Sequence, residues 1–115
     1  MSAKNALAAE RSQRPWLIVG DLNTTKHGID EVGKSVPGGQ HLDRLEGLGW
    51  IEAWRSLNPD AREYTWYHPT GSGFRIDHAY LSPPLAPKLR ACRLLHDLRE
   101  RKFSDHSAIE VMLDI

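Results

Sequence analysis

The chain has 115 residues, 40% of them apolar and 26% charged, with 15 basic and 15 acidic side chains that cancel. That length allows one modest domain of soluble, globular composition, and the neutral balance excludes a global basic field while leaving a local nucleic-acid patch open. One cysteine, Cys92, excludes an internal disulfide framework and a multi-cysteine zinc site, and its neighbours Leu89, Leu94 and Leu95 make a buried thiol the expectation.

The N-terminal stretch "MSAKNALAAERSQRP" is helix-favouring from Ser2 to Arg14, and Pro15 stops it. It lacks the apolar centre of a secretory signal, and no later run approaches membrane-spanning length. The expectation is a cytoplasmic chain with no membrane partner. Trp16 to Val19 predicts a strand, and Thr24 to Gly39, with several glycines and Pro37, a long loop. Leu42, Leu45 and Leu48 stand at helical spacing, so Gln40 to Leu48 predicts a short amphipathic helix ended by Gly47 and Gly49. Trp50 to Trp54 and Tyr64 to Tyr67 read as strands separated by a loop. "HPTGSG" is turn chemistry, which makes Phe74 to Leu81 the returning arm of a hairpin. Pro83, Pro84 and Pro87 forbid regular structure. Leu89 to Leu95 and Ser107 to Leu113 close the chain as strands, with Ile109, Val111 and Leu113 on the core side of the last.

Three polar clusters punctuate the strand ends: Gly20-Asp21-Leu22-Asn23, Arg75-Ile76-Asp77-His78 and Ser104-Asp105-His106. Polar groups at strand ends can meet on one rim of a sheet however far apart they lie in sequence. This set offers carboxylates, an amide and an imidazole. Hard cations such as Mg²⁺ want carboxylate oxygens. An attacked phosphoryl group needs its charge neutralised and its nucleophile positioned. Each cluster also has a plain structural reading. Asp-x-Asn after a strand forms an Asx turn, Asp77 can pair with a neighbouring charge, and Ser-Asp can order a loop. His27, His41, His68 and His96 stand in no recognisable pattern.

The three clusters in this order, with the aromatic segment "GLGWIEAWRSLNPDAREYTWYHP" and the return "GFRIDHAYLSPPLA" between them, resemble the endonuclease/exonuclease/phosphatase superfamily. Within it the chain is similar to the exonuclease III and AP endonuclease branch, and the resemblance covers nearly its whole length. It implies a metal-dependent phosphodiesterase acting on DNA. Asp21 would activate or orient the attacking water and share in the metal site with Asp105. Asn23 would bond the scissile phosphate, and His106 would stabilise its developing charge. Asp77 would orient His106, and Trp66 and Phe74 would flank the nucleotide pocket, or else pack across a hairpin. The implied cofactor is Mg²⁺, with Mn²⁺ as suitable a fit.

The same resemblance implies half of a four-layer α/β/β/α sandwich, an α/β (α+β layered) arrangement of one mostly antiparallel or mixed sheet with flanking helices. Residues 1–115 would be the C-terminal portion of the domain. The family's N-terminal asparagine and metal-binding glutamate have no counterpart before Trp16, since Asn5 and Glu10 lie in a helical segment. The implied partners are DNA and either a missing N-terminal half or a second copy, joined through an uncovered face carrying Leu17, Val19, Ile76 and Ile109. Two other functions stay open: a superfamily enzyme of phospholipid or inositol phosphate, and a non-catalytic remnant or interaction module. Arg90, Arg93, Arg99, Arg101 and Lys102 are phosphate contacts or solvated surface charge.

Overall fold

A computed structural model describes residues 9–26, 29–31 and 38–115. Among the described residues, seven strands and three short helices follow Pro15: β1 (Leu17–Asp21), α1 (Gly39–Gly47), β2 (Ile51–Glu52), α2 (Ala53–Leu57), β3 (Trp66–Tyr67), β4 (Gly73–Phe74), β5 (Asp77–Leu81), β6 (Leu89–Leu95), α3 (Asp97–Glu100) and β7 (Ala108–Leu113). The strand pairs are all antiparallel, but they form three ladders rather than one: β1-β5-β2, β3-β4 and β6-β7. Strand β5 is buried along its whole length between β1 and β2.

Two apolar clusters hold these pieces together. Ala53, Trp54, Ala79, Leu81, Leu85, Cys92 and Leu94 form the larger, with Ile109, Val111 and Leu113 packed against it, as the alternation in β7 predicts. Burial pushes the Cys92 thiol up to about 12, so it stays an inert apolar filler. Leu42, Trp50 and Tyr80 form the smaller cluster, under α1, with Ile18, Leu22 and Leu45 at its margin.

Helix α1 stops where the glycines predict. The Gly49 amide bonds Glu46 O at 2.9 Å and the Trp50 amide bonds Leu45 O at 3.1 Å, with Gly49 at φ +90°. That is a Schellman closure, which needs a left-handed residue after the helix.

Other expectations change as well, and the Tyr64 to Tyr67 strand shortens to Trp66–Tyr67. Trp50 to Trp54 is strand only at Ile51–Glu52, because the Glu52 carboxylate accepts the Arg55 amide at 2.7 Å and starts α2. Phe74 to Leu81 is two strands. Its middle leaves the hairpin because the Arg75 amide bonds Asp30 O and the Ile76 amide bonds Thr65 Oγ1. A 3₁₀ turn, Ala86–Lys88, forms amid the prolines, with Pro87 inside its first turn, where the missing amide costs nothing. The helix expected from Ser2 to Arg14 falls partly outside the described residues, within which Ala9 to Arg11 is helical and Ser12 to Arg14 is turn and bend, and much of the Thr24 to Gly39 loop, His27 included, also lies outside them.

Candidate active site

Register builds the site. In the β1–β5 ladder Asp21, the last residue of β1, stands opposite Asp77, the first of β5. Two carboxylates directly opposite each other repel, and an imidazole is set between them. Asp77 Oδ2 accepts from His106 Nδ1 at 2.8 Å, while His106 Nε2 lies 3.8 Å from Asp21 Oδ2. Asp77 is 7% exposed, His106 half-buried and Asp21 open to solvent. Partial burial disfavours charge on His106, but the Asp77 hydrogen bond and the charges of Asp77, Asp21 and Asp105 outweigh it and raise its pKa above the ordinary value.

The Asx turn is present as well. Asp21 Oδ1 accepts the Asn23 amide at 2.8 Å, and Asn23 takes φ +53°, a conformation asparagine tolerates. This turn occupies one oxygen of Asp21 and leaves the other toward His106. The Asx turn and a carboxylate oxygen directed to His106 therefore coexist in this stretch.

Thr65, fully buried and not singled out by sequence, ties both halves of the site together. Its hydroxyl accepts the amides of Ile76 at 3.1 Å and Asp77 at 3.3 Å, and its carbonyl accepts the Ser107 amide at 2.8 Å. One residue thus fixes the backbone at Asp77 and just after His106. No periodicity or motif marks it.

The other expected residues are placed differently. Asp105 is exposed, and it is not in the group formed by Asp21, Asp77 and His106, whose ligand-type atoms lie within 4.8 Å of one another. Trp66 and Phe74 are cross-strand partners with ring centroids 5.8 Å apart. Phe74 is 2% exposed, so it packs beneath the half-buried Trp66 and shows almost no surface. Arg90 pairs with Asp114 and Arg93 with Glu110, as surface ion pairs of the β6–β7 ladder. Arg101 stacks over Phe103.

His78 sits beside this site without joining it. It is fully buried, and its Nε2–H donates to Thr24 O at 2.6 Å. Burial first, and then the Arg75 charge, lower its pKa.

The description "Endonuclease/Exonuclease/phosphatase family" belongs to a family model that matches residues 3–106. The chain belongs to this family. Among solved structures, a 3′ phosphatase, NExo, from Neisseria, bound to a product DNA hairpin, is 24% identical with a TM-score of 0.81, over 98% of this chain and 51% of that one. An AP endonuclease from Archaeoglobus fulgidus is 22% identical with a TM-score of 0.79, over 99% and 56%. The AP endonuclease LMAP from Leishmania major is 18% identical with a TM-score of 0.69, over 86% and 35%. The chain therefore spans about half the length of the first two. No curated protein matches the sequence. Among the described residues, no helix is long and apolar enough to cross a membrane.

Family enzymes are in general dependent on a divalent metal. The donor set here fits a hard ion through oxygen only. Exposed Asp21 suits Mg²⁺, which uses one or two carboxylates with waters and substrate phosphates. His106 is committed to Asp77 through Nδ1, and its raised pKa disfavours the deprotonated ring nitrogen that a metal ion would need.

Proposed function

We propose that residues 1–115 are the C-terminal portion of a metal-dependent phosphodiesterase that acts on DNA, in the manner of AP endonucleases and 3′ phosphatases. The observation that carries this reading is the line Asp77–His106–Asp21, in which an imidazole hydrogen-bonded to one carboxylate faces a second, solvent-open carboxylate. Asp77 fixes the ring by accepting from Nδ1, and the protonated ring, which the raised pKa favours, presents Nε2–H outward. That proton donates to a non-bridging phosphate oxygen and gains strength as charge builds there. Asp21 Oδ2 accepts a proton from the attacking water as that oxygen bonds phosphorus, and the ester P–O bond breaks to release the leaving oxygen as an alkoxide that takes a proton from solvent water. Asn23 adds an amide donor to the phosphate, and Trp66 offers a ring face to the neighbouring nucleotide. A divalent ion bound at Asp21, as Mg²⁺ or Mn²⁺, would supply further neutralisation of phosphate charge.

Cleavage assays on abasic-site DNA, a 3′-phosphate DNA hairpin and an inositol phosphate, with Mg²⁺, Mn²⁺ or EDTA, test the reading. Asp21→Ala and His106→Ala should each lower DNA cleavage by about 10²–10⁴-fold, while melting temperature barely moves. Either variant cleaving like the parent would overturn the assignment. Hydrolysis of the inositol phosphate without DNA cleavage would move the substrate class.

A further inference from the structure

A second polar cluster lies directly behind His106, and the phosphodiester chemistry does not use it. His96, at the end of β6, is hydrogen-bonded at both ring nitrogens. Its Nε2 contacts Glu63 Oε1 at 2.8 Å and its Nδ1 contacts Ser107 Oγ at 2.6 Å. Arg99 Nε–H donates to the same Ser107 oxygen at 2.9 Å, and Arg99 Nη2 lies 3.4 Å from His96 Nδ1. The Arg99 guanidinium also covers the Tyr67 ring at 4.9 Å.

Donor counting orients the chain. The Glu63 carboxylate and the Arg99 guanidinium can only accept and only donate, respectively. One orientation then satisfies every partner, with Nε2 as the donor and Nδ1 as the acceptor. Arg99 donates to Ser107, Ser107 donates to His96 Nδ1, and His96 donates to Glu63. Head-to-tail bonds with a cation at one end and an anion at the other strengthen one another.

This chain joins three segments. Glu63 and Tyr67 belong to the β3 strand and its approach, His96 and Arg99 to the crossover between β6 and β7, and Ser107 to the entry of β7. Ser107 is 3% exposed and follows His106 directly. With its amide on Thr65 O, it is held at three points.

We propose that His96, acting with Glu63 and Arg99 through Ser107, is a positioning residue that sets the His106 imidazole against Asp77. The geometry of the clamp stands without any activity, and its value to catalysis rests on the phosphodiesterase reading above. A free backbone at residue 107 would let the His106 ring swing from its 2.8 Å contact.

The test is nuclear magnetic resonance of the ring N–H protons in histidine-labelled protein at a fixed, mildly acidic pH. The low-field signal of the His106 Nδ1–H is identified by its loss in His106→Ala. In His96→Phe, which keeps the bulk of the ring and removes both hydrogen bonds, that signal should broaden away through exchange or move upfield. Glu63 is half-buried at the surface, so Glu63→Ala should fold and show the same change in smaller measure. An unmoved signal in either folded variant, even with a lower melting temperature, would reduce the cluster to a structural brace and overturn the proposal. DNA cleavage gives an independent arm: kcat should fall with KM kept. A parent chain that cleaves nothing, both alone and mixed with a separately expressed N-terminal half of a relative, while the ring signal still responds would sink the phosphodiesterase reading and leave the clamp.

Discussion

At His106 two opposing effects meet. Partial withdrawal from water disfavours the imidazolium, and the Asp77 bond with three nearby carboxylates favours it; the second wins. Linkage fixes the sign of the consequence. A histidine whose folded pKa is raised stabilises the fold fully below its ordinary value, near 6.5, and loses that contribution as pH rises through the folded value. The parent should therefore exceed Asp77→Asn in stability most at acidic pH, with the gap narrowing as pH rises from about 6.5 upward. Urea midpoints of the two proteins across that range check it, and a gap that stays constant or widens would contradict it. His78, with its pKa lowered by burial, works in the opposite direction and is common to both proteins, so it cancels in the difference. Asp21, Asp77 and His106 were legible as a set because each sits in a short motif at a strand end. Thr65, His96 and Ser107 were not, since a hydroxyl or imidazole that bonds a residue 11 or 12 positions away leaves no local pattern.

The strands and α1 follow from local pattern, because their apolar spacing and glycine stops act within a few residues. Their ends follow from a buried ionic network that no spacing announces. Asp30, fully buried, accepts from Arg75 at 2.8 and 3.0 Å and from Arg55 at 2.5 Å, and Arg75 also meets Glu52 at 2.9 Å. Both guanidiniums stack on Trp54, at 4.8 and 4.9 Å. The network fastens the 29–31 segment to the gap between β4 and β5 and to α2, and so determines where β5 begins and where Asp77 falls. Asp30→Ala would leave the Arg75 cation in the interior with its main partner gone. Removing one member of a buried pair costs about 3–5 kcal/mol. Denaturant unfolding should show a loss of that order, and a loss below about 1 kcal/mol, the scale of a surface pair, would show that water reaches the network.

At the scale of the whole molecule, part of one sheet is left bare by the described residues. Leu17 and Val19 are 37% and 49% exposed on β1, an edge strand of its ladder, and Trp16 beside them is also open. The expected uncovered face is thus smaller than the sequence suggested, because Ile76 is buried and Ile109 packs on the larger core. An apolar edge strand is a template for pairing. The purified chain should self-associate through β1, and light scattering should show mass rising with concentration. Val19→Lys should return it towards a monomer. A parent chain that stays monomeric at every concentration would refute the pairing.

The bare strand is also the one that ends in Asp21. Whatever lies along β1, a second copy or a separate half, touches apolar surface at one end and a candidate catalytic carboxylate at the other. Assembly and activation would then be coupled rather than successive, and turnover per chain would climb with occupancy of that edge. The strand would work as the hinge between two economies of water: shedding it from Leu17 and Val19, and rationing it at Asp21.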